Sequence, residues 1–413
     1  MTENTTNSTE ASTPEVPANQ GPLTGIRVLE LGTLIAGPFA SRMLGEFGAE
    51  VIKVETPGSG DPIRKWRVLH EGNSLWWAVQ ARNKKSLTLN LKAHAGLDVL
   101  RKLIQSTDIL VENFRPGQLE KWGLSPAQLQ ELNPGLIVVR LSGYGQTGPY
   151  KDRPGFGAIA ESIGGMRFLS GDTDRPPVRV GISIGDSLAG LHAVIGALMA
   201  LQHRHKTGKG QVVDVALYES VFNMMESLLP EYDFAGVVRK RSGASLPGIV
   251  PSNTYTCGCG GFIVIGGNGD AIFKRLMLAI DRPDFAENPD MASNDGRVRH
   301  TELIDDTIAK WCKKRSIDEA LQVLEQADVP VSKIYSIEDI VRDPQFAARG
   351  MIEEHPFGDD RTLKVPGVVP KLSDTPGQTR WLGPKLGEHN AQVLADLGYT
   401  AQDIQRMADD GVI

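Results

Sequence analysis

A single carboxylate, Asp186, stands among small residues in the stretch VGISIGDSLAG, and an apolar helical run follows it. Aspartate is a preferred residue at the start of a helix, so one interpretation of Asp186 is a helix cap. The other is a covalent nucleophile, because Gly185, Ser187 and Ala189 leave space for a ligand to approach the carboxylate. Both roles are compatible, since amides at a helix N-terminus stabilise negative charge. We therefore predict that Asp186 caps a helix over 187–202 and faces a ligand.

The motifs that bind common cofactors are incomplete in this chain. The turn after the first predicted strand, LGTLIAGPFA, lacks the G-x-G-x-x-G spacing that binds dinucleotides. In KTGKGQ, Gly210 stands where a phosphate loop needs serine or threonine. The three cysteines, Cys257, Cys259 and Cys312, are too few for a disulfide framework, and no second pair completes a metal ligand set. We therefore expect no prosthetic group and no metal.

The bulk composition argues against several classes of protein. The chain has 413 residues and a formal net charge of −6, whereas nucleic-acid-binding domains are usually basic. No apolar run reaches the roughly 20 residues that a membrane span needs. Residues 1–22 are rich in Thr, Asn and Glu without the apolar core of a secretory signal, so we predict a disordered tail. We expect a cytoplasmic protein that binds neither nucleic acid nor membrane.

Short apolar runs alternate with helical patterns, which predicts βαβ units and an α/β fold with a largely parallel sheet. Expected strands cover 25–32, 49–55, 86–91, 108–113, 136–143 and 211–217, and expected helices cover 38–48, 93–107, 125–133, 187–202 and 220–234. A hairpin over 253–267, followed by helices, predicts a smaller α/β domain. Ligands bind such parallel sheets beyond the carboxyl ends of the strands, so those loops should hold the site.

Six further motifs occur in order from about residue 23 to the C-terminus: GIRVLELGTLIAGPFASRMLGEFGAEVIKVETPGSGD, NKKSLTLNLK, DILVENFRPG, LSGYGQTGP, GISIGDSLAGL and GPKLGEHN. Together they resemble the class III CoA-transferases. The resemblance implies a large Rossmann-like, coenzyme A-binding domain over 23–225 and 345–413. It implies linkers and a small domain over 226–344. It also implies an intertwined homodimer of interlocked rings.

The same resemblance implies a mechanism in which Asp186 is the nucleophile. Its carboxylate would attack an acyl-CoA thioester to form a mixed anhydride, and CoA would then convert the anhydride to an aspartyl-CoA thioester. An acceptor acid would collect the CoA through a second anhydride. The glycine-rich GGNGD, with Gly266, Gly267 and Gly269, corresponds to a loop that covers the active site in the family. The CoA thioester is therefore expected as substrate, with a free carboxylic acid as its partner.

Coenzyme A requires basic groups for its phosphates and an apolar slot for adenine. The residue types around NKKSLTLNLK offer Arg82, Lys84 and Lys85 as phosphate partners. The resemblance implies a coenzyme-binding set of Ile35, Ala36, Leu89, Asn90, Leu91, Lys92, Asn113, Phe114, Arg115, Arg153 and Phe156. Ile35 replaces a Gln of formyl-CoA transferase, and Thr56 replaces an Arg. The change at Ile35 weighs against formyl and oxalate substrates, and the change at Thr56 implies that one phosphate contact is absent or supplied elsewhere. We expect succinyl-CoA as donor and a small dicarboxylate as acceptor.

Two alternative functions share the expected fold. An alpha-methylacyl-CoA racemase needs a base on each face of the substrate, a His and an Asp. Here Phe156 and Gly157 stand at those positions, and no histidine occurs between His94 and His192. A non-catalytic acyl-CoA-binding protein is the other alternative, because a fold does not by itself imply activity. Turnover of a thioester would distinguish the enzyme from the binder.

Overall fold

The computed structural model describes residues 21–358 and 361–413. Almost all of the tail predicted over 1–22 lies outside the described residues. The strands of the described part are, in chain order, β1 Arg27–Glu30, β2 Glu50–Glu55, β3 Leu69–His70, β4 Asn73–Ser74, β5 Lys84–Thr88, β6 Ile109–Glu112, β7 Ile137–Ser142, β8 Val212–Ala216, β9 Ser252–Thr256, β10 Phe262–Gly266, β11 Val331–Lys333, β12 Ile352–Phe357 and β13 Arg361–Pro366.

The helices lie between these strands and at the end of the chain. In order they are α1 Ala36–Glu46, α2 Leu75–Gln80, α3 His94–Gln105, α4 Gln118–Lys121, α5 Pro126–Leu132, α6 Gly157–Ile163, α7 Met166–Leu169, α8 Ile184–Thr207, α9 Leu217–Phe222, α10 Leu228–Ala235, α11 Asp270–Ala279, α12 Pro283–Ala286, α13 Asn294–Arg299, α14 Thr301–Cys312, α15 Ile317–Gln326, α16 Ile337–Arg342, α17 Pro344–Ala348, α18 Asn390–Asp396 and α19 Ala401–Asp409. Short 3₁₀ turns cover Pro62–Lys65 and Pro289–Met291.

The central sheet has six parallel strands in the order β5-β2-β1-β6-β7-β8. From β1 the chain builds outward to β2 and β5, and it then returns to place β6 on the other side of β1. The loops after β1 and β6 therefore diverge at the carboxyl edge, which makes a crevice at this topological switch point. The predicted parallel α/β sheet is confirmed, and its carboxyl edge is where ligand-binding loops meet.

The inner strands of the sheet are buried on both faces, as is usual where helices cover a parallel sheet. β6 and β7 are buried at every position. Side chains of the strands join those of α3, α18 and α19 in one continuous hydrophobic core. The charged residues in this interior, notably Glu30 and Lys53, are each fully buried and paired with one another.

The described chain divides into two compact units. The first contains residues up to Ala160, Ser183–Val221 and Gly350–Ile413, and the second contains Glu161–Ile182 and Phe222–Arg349. The second unit has its own core around an antiparallel sheet in the order β11-β10-β9. The predicted hairpin over 253–267 is present as β9 and β10. The segment Glu161–Ile182 groups with the second unit, although the expected boundaries assign it to the larger domain.

One helix prediction was wrong, and one helix was not predicted. The helix predicted over 220–234 is broken into α9 and α10, because Glu226 has a left-handed backbone (φ +49°) that interrupts helical hydrogen bonding. The last helix, α19, was not predicted.

Among the described residues, α8 is long and apolar enough to cross a membrane by length and composition alone, with mean hydropathy 1.6. This is weak evidence of a span, because core helices of water-soluble proteins pass the same test.

Candidate active site

Asp186 lies in the first turn of α8, as its third residue. Ser183 is the N-cap residue, so the prediction that Asp186 caps the helix was wrong. The helix begins three residues earlier than expected because Ile184 and Gly185 already have helical geometry. Asp186 is half-buried. The amides of a first helical turn favour a carboxylate there and stabilise its charged form.

Gly157 lies directly against the carboxylate of Asp186. A β carbon built on Gly157 would be 2.7 Å from Cγ of Asp186 and closer still to Oδ2. Real side chains do not approach so closely, so every residue other than glycine at 157 would displace Asp186. The Asp186 carboxylate therefore fills the space that a side chain at position 157 would occupy, and it packs directly against the Gly157 backbone.

The helix that carries Asp186 packs tightly on α1. A β carbon on Gly190 would lie 2.7 Å from Cδ1 of Phe39 and 3.0 Å from the carbonyl oxygen of Ala36. Asp186 is one helical turn before Gly190 and therefore on the same face. The start of α1, at Ala36, therefore packs on α8 one helical turn beyond Asp186. Two sets of residues that are distant in the sequence meet here.

The turn before α1 is held by Asn113 from the loop after β6. The Asn113 side chain accepts a hydrogen bond from Thr33 N (2.9 Å) and donates one to Thr33 O (2.8 Å). Gln80 donates to the carbonyl oxygen of Ile35 (2.9 Å). Asn113 was predicted at the coenzyme nucleotide, but both ends of its amide are used within the protein. Its contribution is to fix the loop after β1.

A cavity of about 480 Å³ opens at the carboxyl ends of β1, β2 and β5. Phe114 and Trp122 pack edge to face at one side of it, with ring centroids 5.2 Å apart. Lys92 is exposed, and it contributes a positive charge. The full lining is Leu31, Thr33, Lys53, Val54, Glu55, Thr56, Pro57, Gly60, Asp61, Leu89, Asn90, Leu91, Lys92, Phe114, Trp122 and Gly411. The cavity thus combines apolar walls with a basic lip.

Five of the residues predicted at the coenzyme line this cavity: Leu89, Asn90, Leu91, Lys92 and Phe114. Arg115 is exposed beside it and is not part of the lining. Arg153 and Phe156 are exposed in the segment before α6, where the Arg153 guanidinium stacks on Tyr150.

Sequence reasoning missed several residues of this region. Lys53, Trp122 and Gly411 line the cavity, and no local pattern separates them from other residues of their type. The spacing of the motifs likewise contains no sign that Gly157 lies against Asp186.

A fully buried ionic network lies beneath the cavity. Lys53 Nζ bonds Glu30 Oε1 (2.6 Å), Asp61 Oδ2 (2.9 Å) and the carbonyl oxygen of Gly32 (2.8 Å). Lys84 Nζ bonds the other oxygen of Glu30 (2.7 Å). Burial alone would raise the pKa of Glu30, but the two lysines outweigh it and lower that pKa to about 2. Two carboxylates and two ammonium groups therefore balance one another in the interior.

The three basic residues offered as phosphate partners form ion pairs within the protein. Arg82 pairs with Glu46, Lys84 with Glu30 and Lys85 with Glu50. Burial lowers the pKa of Lys84 to about 8, because Glu30 only partly offsets it and the charge on Lys53 adds to it. The motif NKKSLTLNLK supplies interior charge through its first half and cavity residues through its second half.

In the second unit, the glycine-rich loop between β10 and α11 is anchored by Arg297. This side chain is fully buried and donates to the carbonyl oxygens of Asn268 (2.6 Å) and Val250 (2.8 Å) and to Asp270 Oδ1 (2.8 Å). Gly266 ends β10, and Gly269 is the N-cap of α11. Gly267 is buried, and a β carbon there would clash with Leu276. The loop therefore has a defined, tightly packed base.

Within residues 21–358 and 361–413, no group of three or more His, Cys, Asp or Glu side chains is arranged to hold a metal ion. Cys257 and Cys312 are buried, whereas Cys259 is exposed in the turn between β9 and β10.

Ligands bind parallel α/β sheets at the edge where this cavity opens, and the same unit carries the half-buried carboxylate of Asp186 at a helix start. The comparison with known proteins identifies the class of protein. The chain belongs to CoA-transferase family III, because the sequence model of that family matches residues 23–390. The predicted family and the prediction of an enzyme are confirmed.

Curated relatives cover nearly the whole chain. It is 47% identical over 394 residues to a succinyl-CoA–D-citramalate CoA-transferase of Chloroflexus aurantiacus, covering 95% of this chain and 98% of the relative. It is 34% identical to a succinate–glutarate CoA-transferase of Agrobacterium fabrum, covering 93% and 97%. Among solved structures, a CAIB/BAIF family protein of Brucella suis matches with a TM-score of 0.81 and 32% identity, covering 92% of this chain and 100% of that one.

Proposed function

We propose that this enzyme moves coenzyme A from succinyl-CoA to a free dicarboxylic acid through covalent intermediates on Asp186. The observation that carries the proposal is the packing of the Asp186 carboxylate against the Gly157 backbone. A carboxylate nucleophile must be held in one position, and glycine at 157 lets the backbone at the start of α6 pack directly against it.

The proposed chemistry is balanced and needs no other reactant. A carboxylate oxygen of Asp186 attacks the thioester carbonyl, the carbon–sulfur bond breaks, and CoA leaves as thiolate. The thiolate attacks the aspartyl carbonyl of the resulting anhydride, which releases succinate and leaves an aspartyl-CoA thioester. The acceptor carboxylate displaces the thiolate to form a second anhydride. Attack of the thiolate on the acceptor's carbonyl forms the new CoA ester and regenerates Asp186.

The cavity supports the placement of the coenzyme. Its apolar walls, with Phe114 and Trp122, fit an adenine ring, and Lys92 at the lip fits a phosphate. The turn over Thr33–Ala36 links this cavity to the start of α1, and α1 packs on the helix that carries Asp186. We therefore propose that the nucleotide occupies the cavity and that the pantetheine arm follows this turn to the carboxylate.

The relatives support the choice of substrates. Those named above transfer CoA between succinate and either D-citramalate or glutarate, and relatives 40% identical are named as subunits of a succinyl-CoA–L-malate CoA-transferase of Chloroflexus aurantiacus. All three acceptors are dicarboxylic acids with a main chain of four or five carbons, and citramalate also carries a methyl branch. We propose an acceptor of this class for the present enzyme.

The test is chromatography of CoA esters after the purified protein is mixed with succinyl-CoA and one free acid at a time. The acids are D- and L-citramalate, L-malate, glutarate, mesaconate, itaconate and oxalate. A new ester from citramalate, malate or glutarate is the expected result. Transfer to oxalate alone, or loss of succinyl-CoA only by hydrolysis, would contradict the proposal. Tritium exchange beside the thioester, without a new ester, would instead point to a racemase.

We also propose a homodimer in the cytoplasm. One stripe of α8 exposes Leu191, Ile195, Leu198 and Met199, the last with 68% of its surface accessible. Their spacing places them on one side of the helix, opposite the small residues that pack inward. A second copy of the chain would cover this stripe. Light scattering after size-exclusion chromatography should give twice the mass of the 44.8 kDa chain, and a monomer at micromolar concentration would contradict the dimer.

A further inference from the structure

Leu34 adopts a left-handed backbone conformation, with φ of +65°. For a residue other than glycine this conformation costs roughly 1 kcal/mol, and it persists only where neighbouring groups enforce it. Leu34 lies in the turn between β1 and α1, directly before Ile35 and Ala36. The backbone at Leu34 therefore determines the direction in which α1 begins, and α1 packs on the helix that carries Asp186.

The enforcing group is the carboxylate of Asp61. Leu34 N donates to both of its oxygens, at 3.1 and 3.2 Å. The same carboxylate accepts from Ile63 N (3.0 Å) and pairs with Lys53 Nζ (2.9 Å). The Asp61 side chain has no exposed surface, so water does not compete for these bonds. Its own amide donates to Glu55 Oε2 (2.9 Å), which fixes the carboxylate from behind.

Asp61 also lines the cavity proposed for the coenzyme, together with Thr33. It therefore joins the wall of the cavity to the turn that leads to Asp186. We propose that Asp61 is a positioning residue, whose carboxylate holds Leu34 in its left-handed conformation and so directs Ile35 and Ala36 toward the thioester. This inference rests on the proposed function.

The test is Asp61→Asn, which keeps the shape of the side chain but replaces one of the two oxygens that accept from Leu34 N by an amide nitrogen and removes the charge that pairs with Lys53. We expect kcat/KM for CoA transfer to fall about 10- to 100-fold, mainly through kcat, because small displacements of reacting groups have effects of this size. Amide hydrogen exchange in the peptide over 33–39 should become faster. Unchanged kcat/KM together with unchanged exchange would overturn the proposal.

Rescue distinguishes positioning from a general structural role. Glycine adopts positive φ without cost. Adding Leu34→Gly to Asp61→Asn should therefore raise kcat/KM at least about tenfold above that of Asp61→Asn alone. The matched control is Glu71→Gly, because Glu71 is also left-handed (φ +50°) but lies in the exposed turn between β3 and β4. Equal effects of the two glycine substitutions would contradict the proposal.

A series at Leu34 tests the idea where Asp61→Asn does not fold. β-branched residues disfavour positive φ more strongly, so Leu34→Ile should be less active than Leu34→Gly with Asp61 intact. The reverse order would overturn the proposal. Hydrogen exchange is measured on the free enzyme, so it tests the positioning even without turnover. Failure of the wild-type enzyme to form any new CoA ester would count against the proposed function alone.

Discussion

The Asp186 carboxylate and the backbone of Gly157 occupy adjoining space, so that a β carbon on Gly157 would come within 2.7 Å of Asp186 Cγ. The carboxylate comes from the first turn of α8, and the glycine is the first residue of α6. Two helix starts thus converge on one side chain. The position of the Asp186 carboxylate therefore depends on the residue at 157 being glycine.

Replacing Asp186 tests the nucleophile directly. We expect Asp186→Ala to fold normally and to lose CoA transfer by at least about 1000-fold, because no other carboxylate replaces the covalent intermediate. Mass spectrometry of the wild-type enzyme quenched during turnover with succinyl-CoA should show a CoA adduct on the peptide that contains Asp186. Ser187→Ala, at the next position, is the control and should remain active. More than about a hundredth of wild-type activity in Asp186→Ala would argue against the role.

Enlarging Gly157 should displace the carboxylate without removing it. We expect Gly157→Ala to lower kcat at least about 100-fold, with little change in affinity for CoA, because the added methyl group would overlap Asp186 Oδ2. Gly181→Ala is the matched control, since a β carbon there would meet nothing within 4 Å. Stopped-time assays of kcat and calorimetry of CoA binding separate the two effects. Full activity of Gly157→Ala would show that Asp186 relocates during the reaction.

The cavity predicts a selective effect on coenzyme affinity. Lys92→Ala should raise KM for succinyl-CoA roughly fivefold and leave kcat nearly unchanged, because an exposed charge at the lip contributes modestly. The difference should shrink as salt is added, since ions screen an exposed pair. Lys121→Ala is the control, because Lys121 is exposed in the same unit but does not line the cavity. Equal changes in both variants would place the phosphates elsewhere.

Glu30 should contribute strongly to stability at neutral pH. Glu30→Gln leaves two buried ammonium groups with too little negative charge, so we expect the free energy of unfolding to fall by about 3–5 kcal/mol. The pKa of Glu30 is lowered from 4.5 to about 2, so its contribution is fully present above pH 4.5 and is lost as the pH falls through 2. Urea unfolding of both proteins at about pH 7 and about pH 3 measures the difference. A gap that widens in acid would contradict the assignment.

Arg297 should determine the order of the glycine-rich loop. Arg297→Met keeps much of the buried volume but leaves the carbonyl oxygens of Asn268 and Val250 without their donor, which costs about 1–3 kcal/mol for each unsatisfied group. We expect faster amide exchange over 266–270 and a lower melting temperature. Arg299→Met, two residues along and exposed, is the control. Unchanged exchange in the loop would show that its packing alone maintains it.

The sequence alone was enough to predict most of the secondary structure around the sheet and the family to which the chain belongs. Apolar periodicity acts over a few residues, so the six strands and most helices of the first unit could be predicted within a few positions. The ordered motifs placed Asp186, Leu89–Lys92 and the glycine-rich loop in a known family. These features depend on local pattern or on motif order, both of which are visible in a single chain.

The tertiary structure was needed to show which charged side chains face the cavity and which are paired in the interior. Lys84 and Lys92 belong to one motif, yet the sheet order places Lys84 beside Glu30 in the interior and Lys92 at the cavity. Thr33 and Asn113 are 80 positions apart and meet because β1 and β6 are neighbours. Such pairings arise from strand order and close packing, and both join distant parts of the chain. A pattern among neighbouring residues therefore does not predict these long-range pairings.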